Sequence, residues 1–369
     1  MISVMDILAS EAIEYHNIRG SVEVDAKTEQ NNKVERGDLV FVRSSEVVGE
    51  VGWAKAYTDN EYALFSGFSI RGKKKDEFDN FFVELSLNSK NRPQIESKAG
   101  GSTRFNVSQS ILNEVELLEP TLPEQTSIGN FFRTLDSLIA ATQRKLDGLK
   151  QMRSAYLQQM FPQTGERVPR LRFDGFSGDW EIRKLGDCFI KGGSGGTPLS
   201  TKKEYYDGDI PFLSISDVTN SNGYIDYTEK RITEEGLNNS AAWIVSKGAI
   251  SLAMYASVGK LAILNIDVAT SQAFYNMIFG YTALRDFIYQ RLSRASDLNE
   301  WTSLISQGTQ QNLNAEKVKN FEISVPSSRD EQDAIGVFLN NIDIQISAHS
   351  DKVQKLKELK IAYLQKMFI

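Results

Sequence analysis

The chain has 369 residues, of which 41% are hydrophobic and 24% charged, with a formal net charge of −6 and one cysteine. That length suits about two domains, each able to bury its own core. The acidic balance argues against a protein that coats nucleic acid by bulk electrostatics, though not against base-reading loops on an acidic scaffold. The single Cys188 excludes an intramolecular disulfide and a cysteine-based zinc cluster, and it fits a reducing compartment. No basic-then-apolar leader and no apolar run near 18 residues is present, so the expectation is a cytoplasmic protein with no membrane partner.

Taken in order, the opening MISVMDILAS places Ile2-Ser3-Val4 and Asp6-Ile7 in a pattern that returns at Leu213-Ser214-Ile215 and Asp217-Val218, an offset of 211. The same offset pairs Gly37 in VERGDLVFV with Gly248 in VSKGAISLA, and both read as a turn entering a strand. Arg43 follows the first of these apolar runs. Arg71, Lys73, Lys74 and Lys75 form a basic run followed at once by Asp76 and Glu77, which reads equally as a solvated turn or a phosphate contact. Ser102, Thr103, Arg104 and Asn106 make a polar loop, and Gly101-Ser102 matches Gly308-Thr309 at an offset of 207.

Residues 124–161, EQTSIGNFFRTLDSLIAATQRKLDGLKQMRSAYLQQMF, match residues 331–368, EQDAIGVFLNNIDIQISAHSDKVQKLKELKIAYLQKMF, without a gap at an offset of 207. Identical pairs include Glu124/Glu331, Gln125/Gln332, Gly129/Gly336, Phe131/Phe338 and Asp136/Asp343. Leu135, Ile139, Thr142, Leu146, Leu149, Arg153, Tyr156 and Met160 step by four and three. Ile342, Ile346, His349, Val353, Leu356, Lys360, Tyr363 and Met367 step identically. A 3.5-residue period held over three heptads without proline predicts two long coiled-coil helices, each about 50 Å at 1.5 Å per residue. Pairing of the two with each other is expected, against two amphipathic helices packed separately. The polar seam positions Thr142/His349 and Arg153/Lys360 would fix register at some cost in stability.

PQTGERVPR, residues 162–170, is a boundary linker. Beyond it, the second half carries a front end without counterpart in the first: LRFDGFSGDWEIRKLGD, GGSGGTP and DGDIPF. The first half therefore reads as an N-terminally shortened domain, the alternatives being truncation or a missing part supplied by another polypeptide. GGSGGTP lacks G-x-G-x-x-G spacing and a following helix, so a flexible loop is preferred to a phosphate cradle. Thr197, Ser200, Thr201, Lys202, Lys203 and Tyr205 form a polar, basic and aromatic cluster, and Lys260 follows Gly259. Gln307, Thr309, Gln310, Gln311, Asn312 and Asn314 crowd amides and hydroxyls that could bond adenine edges, hold phosphates, or serve structural hydrogen bonding at the helix junction.

Chemistry is conspicuous by what is missing. No Asn-Pro-Pro-aromatic methyltransferase signature, no Walker-A loop and no H-E-x-x-H motif occurs. The two histidines, His16 and His349, lie far apart, and His349 falls on the seam, so no catalytic residue, metal site or cofactor is expected.

FDGFSGDWEIRKLGD, GGTP, DGDIPFLSISDV, SQGTQQNLNAEKVKNFEISVP and the EQ-x-x-IG…AYLQ-x-MF helices together resemble the specificity (S) subunits of type I restriction-modification systems. The resemblance implies an α+β fold with an internal pseudo-twofold repeat. Two mixed α/β target-recognition domains, residues 1–119 and 167–325, would be separated by two long antiparallel coiled-coil helices, residues 120–166 (with the linker) and 326–369. Each domain would read one half of a split double-stranded DNA sequence. Two methyltransferase (M) subunits would dock on the scaffold, and restriction/translocase (R) subunits would join through the complex. The candidate DNA-contacting residues are those named above. The alternatives are an enzyme fused to a coiled coil and an S-like scaffold that assembles with partners but has lost or altered reading of one half-site.

Overall fold

The computed structural model describes residues 1–9, 11–305 and 312–368. Its two longest elements are the helices Leu122–Gln159 and Arg329–Met367, of 38 and 39 residues, which contain the two seams except for Met160, one residue past the first helix. The chain divides into two compact units, residues 1–142 with 352–369, and residues 143–351. Each unit holds one half of each long helix.

In the first unit the helices run antiparallel: Phe131 meets Tyr363 edge-on at 5.0 Å, and Asp136 pairs with Lys360 at 2.6 Å. In the second unit Tyr156 meets Phe338 edge-on at 4.8 Å, and Arg153 pairs with Asp343. These are the same two pairs of repeat positions with the helices exchanged. Both basic seam residues therefore end on an aspartate of the other helix. Leu135, Thr142, Leu146, Leu149, Met160, Ile342 and Val353 are buried. Ile139, Tyr156, Ile346, His349, Leu356 and Met367 are half-buried, and Tyr363 is exposed. The His349 ring nitrogen Nδ1 lies 2.8 Å from the Gln345 carbonyl, a local backbone contact.

The repeat extends into the α/β parts. In the first unit the strand Leu39–Val42 lies between Ala54–Ala56 and Ser69–Gly72, all antiparallel, with the helix Asn80–Asn88 packed on them. In the second unit Ile250–Ala253, 211 residues on, lies between Leu261–Leu264 and Phe274–Ile278, with the helix Thr282–Asp297 against the sheet. The glycines entering the two central strands, Gly37 and Gly248, have φ of 99° and 89°, a conformation a side chain would strain. Ser3 and Asp6 form a capping box whose hydroxyl–carboxylate bond is 2.7 Å; Ser214 and Asp217 repeat it at 2.6 Å.

The second unit is larger. Its five-stranded sheet runs Tyr224–Ile225, Leu261–Leu264, Ile250–Ala253, Phe274–Ile278 and Lys191–Ser194. A four-stranded sheet adds Lys230–Ile232, Tyr206–Leu213, Val268–Thr270 and Ile244–Val245, and Glu181–Lys184 pairs with Glu322–Val325. The expected flexible loop at GGSGGTP begins inside the sheet, since Lys191–Ser194 is its edge strand, and only residues 195–198 lie outside any strand. The glycines serve close backbone approach, since a Cβ on Gly195 would sit 1.8 Å from the Thr270 carbonyl oxygen.

Candidate nucleic-acid interface

In the first unit the central strand ends at the exposed Arg43, and the chain continues as Ser44–Ser45, paired with Phe105–Asn106. The Val107 amide donates to the Arg43 carbonyl at 3.0 Å, which locks residues 100–107 beside residues 43–45. Gly100 and Asn106 exchange backbone hydrogen bonds of 3.1 and 2.8 Å, closing a tight turn whose tip presents Ser102 and Thr103 to solvent. Arg104 Nε donates to Ser44 Oγ at 2.7 Å, and its guanidinium lies 5.7 Å from the centroid of Phe68, a ring 60% exposed. A guanidinium held over an exposed aromatic shelf, among hydroxyls and an amide, has the donors to grip a phosphate or a guanine edge. Beside it an open groove of about 590 Å³ is lined by Met5, Ser45, Val47, Glu50, Phe68 and Arg104.

The second unit builds the same junction with other side chains. The strand Ile250–Ala253 leads to Met254, whose carbonyl accepts from the Leu313 amide at 3.1 Å. The intervening turn puts Ala256 and Ser257 at positive φ, 37° and 63°, strain that a non-glycine residue carries only where the surroundings impose it. Ala253 N donates to the Lys260 carbonyl at 2.7 Å, and Tyr255 and Lys260 project into solvent. Asn312, half-buried, adjoins this junction. Gln307, Thr309, Gln310 and Gln311 lie outside the described residues.

The structure thus brings Arg43, Arg104 and Asn106 together, with Ser102 and Thr103 on the same turn. It takes others elsewhere. Arg71 is turned inward, its Nε donating to Asp38 at 2.7 Å and a second nitrogen lying 3.2 Å from Glu35. Lys74 reaches Glu77 at 3.2 Å, whereas Lys73 is exposed with no carboxylate in ion-pair range among the described residues. Thr197 donates to Gln272 at 2.8 Å, Thr201 and Lys203 are exposed, and Glu204, 3.1 Å away, holds the Lys202 ammonium above its usual range. Tyr205 is buried, with its carbonyl accepting from Thr233, so its ring is core rather than surface. Sequence reasoning passed over Ser44, Phe68 and Tyr255. The signal was available, because the offset of 211 that pairs the two central strands also pairs Arg43-Ser44 with Met254-Tyr255.

Among the described residues no group of three or more His, Cys, Asp or Glu side chains is placed to hold a metal, and no helix is long and apolar enough to cross a membrane.

A family model described as the type I restriction modification DNA specificity domain matches residues 6–151 and 177–358. The chain belongs to this family. It is 31% identical over 194 residues to the type I restriction enzyme MjaIX specificity subunit of Methanocaldococcus jannaschii, covering 52% of this chain and 44% of that protein. It is 28% identical over 154 residues to the HindI specificity subunit of Haemophilus influenzae, covering 40% of this chain and 32% of that protein. The matched region thus spans less than half the length of these relatives. The fold resembles a crystal structure of a type I restriction-modification S subunit from M. genitalium, with TM-score 0.61 at 15% identity over 91% of this chain and 84% of that one. It also resembles a chain from a study of complex assembly and conformational transition of the type I R-M system, with TM-score 0.55 at 16% identity over 91% and 82%. These likenesses show the fold, an α+β architecture of two domains with long linking helices.

Proposed function

We propose that the protein is a non-catalytic DNA sequence-specificity subunit of a type I restriction-modification complex, and that each unit reads one half of a bipartite double-stranded target. One observation carries the reading: the same junction of two sequence-distant loops occurs in both units, Arg43–Val107 and Met254–Leu313, with different side chains around it. A repeated frame with divergent reading residues suits two half-sites of different sequence. Arg43, Arg104, Ser102, Thr103 and Asn106 face one half, and Lys260 and Asn312 face the other. Thr197, Thr201, Lys202 and Lys203 supply backbone contacts. The paired helices set the spacing between half-sites and dock two methyltransferase subunits, with restriction subunits joining through the complex. Methylation, translocation and cleavage reside in those partners, in the cytoplasm. The family relationship and the absent catalytic motifs support this division.

The test is a methylome comparison between cells carrying the chain with its methyltransferase and cells carrying the methyltransferase alone. A split, asymmetric motif methylated only when the chain is present is the expected result. A symmetric or single-half motif would mean that the first unit does not read. No dependent methylation would favour a scaffold without specificity.

A further inference from the structure

The turn that follows the central strand differs between the units. In the second it is short, residues 254–260, runs from Ile250–Ala253 into Leu261–Leu264, and contains Lys260 but no carboxylate. In the first it is longer, residues 43–53, between Leu39–Val42 and Ala54–Ala56, and it includes the 3-10 helix Val48–Glu50. The added loop is held from beneath. Arg92, only 7% exposed, donates to the Gly49 carbonyl at 2.8 Å and to the Val51 carbonyl, while its Nε reaches Glu96 at 3.1 Å. Glu50 N donates to the Val47 carbonyl at 3.1 Å, and Trp53 N to the Glu50 carbonyl at 3.0 Å. The backbone of Glu50 is thus fixed from both sides.

Its side chain is fixed as well. Ser45 Oγ donates to Glu50 Oε2 at 2.5 Å and accepts from the Val47 amide at 3.1 Å. Among the described residues the second carboxylate oxygen has no hydrogen-bond partner and Glu50 makes no ion pair. The residue is half-buried in the groove that it shares with Phe68 and Arg104.

A carboxylate on a DNA-facing surface costs affinity, because the phosphates repel it. Its benefit is discrimination. It can only accept, so it matches a base edge that offers an amine. Adenine sets the N7 acceptor beside its N6 amine, and that lone pair opposes the carboxylate. Cytosine sets its N4 amine beside a carbon edge, which suits the apolar wall of Met5, Val47 and Phe68.

We propose, resting on the reading of the first unit as a half-site reader, that Glu50 is a specificity-determining residue that accepts from the N4 amine of a cytosine in the major groove. Ser45 orients the carboxylate, Arg92 positions the loop that carries it, and Arg104 offsets its charge against the phosphates.

The test is methylome sequencing of cells that carry the methyltransferase with the wild-type chain, with Glu50→Gln or with Glu46→Gln. Glu46 is an exposed carboxylate on the same groove, so its variant controls for charge alone. The wild-type motif should contain an invariant C·G pair in one half. With Ser45 still donating to the amide oxygen, Glu50→Gln turns an NH2 group toward the base and no longer accepts. Methylation at non-cognate bases of that one position should rise about tenfold, the discrimination of one good base contact. All other positions should persist, those of the same half showing that the unit is folded, and Glu46→Gln should leave the motif unchanged. Relaxation at an A·T pair, loss of the whole half, or the same relaxation from Glu46→Gln would each overturn the proposal. A split wild-type motif untouched by Glu50→Gln would overturn it alone, whereas no dependent motif at all would remove the underlying reading with it.

Discussion

Comparing the two units shows how far identical residues can differ in what they do. Asp136 and Asp343 keep one role: each receives the basic seam residue of the other helix, Lys360 or Arg153. Glu124 and Glu331 do not, because one faces water and the other anchors a buried arginine and tryptophan. The coil is conserved as a closed contact, whereas the glutamate depends on a segment that only one unit contains.

The largest effect that would sharpen this comparison comes from Arg172→Ala. It strands the Glu331 carboxylate in the core, a cost of about 3–5 kcal/mol, while Glu124→Ala changes stability by no more than about 0.5 kcal/mol. Urea unfolding of both variants checks the pair, and comparable losses would show that the two glutamates are equivalent after all.

Alkaline pH should also separate the units. Burial pushes the Cys188 thiol up to about 11 from the ordinary value of 9.0. The unfolded chain therefore releases that proton first, and stability is lost as pH rises from 9 to 11, by about 2–3 kcal/mol. Cys188→Ala flattens that stretch of the stability profile. The first unit has no cysteine; there burial pushes the Tyr57 hydroxyl up from 10.0 to about 12, so its own alkaline loss begins about one pH unit higher, between 10 and 12.

Third, Arg153→Ala removes a half-buried guanidinium that also donates to Ser293 at 2.8 Å and pairs with Asp297 at 3.0 Å. It should cost about 1–3 kcal/mol. Lys360→Ala breaks a more exposed pair and should cost less than about 1 kcal/mol. Equal losses in thermal unfolding would break the inference that the two seams are unequally anchored.

The smallest effect concerns binding. Arg104→Ala should weaken DNA affinity and lower the salt-dependence slope by about 1, provided that it neutralises one phosphate. Arg71→Ala should leave that slope unchanged, because Arg71 is engaged by Asp38 and Glu35.

Much of the architecture was legible because periodicity and repetition are local, countable properties. The two helices, their polar seam positions and the turns at Gly37 and Gly248 could be read from spacing alone. The surface was less legible. Arg71 looks like Lys73 in the sequence, and only the fold brings Asp38 against the one and solvent against the other. Tyr205 closes a polar, basic cluster, yet the helix Glu234–Asn238 packs over its backbone. The glycines after Lys191 suggested freedom, but they mark the place where Thr270 approaches too closely for a side chain. Each miss is a contact between residues distant in sequence, which composition does not encode.

The division of the long helices between the units has a consequence for biosynthesis. The first unit's core packs Phe82 and Phe132 against Phe368, with Leu364 and Met367 alongside. Translation delivers those residues only after the whole second unit has left the ribosome. Residues 1–142 therefore wait, with an apolar surface open, while residues 143–351 are made and can fold. A chain arrested before residue 352 would display that surface to chaperones and proteases, so the order of synthesis itself becomes a checkpoint on completeness.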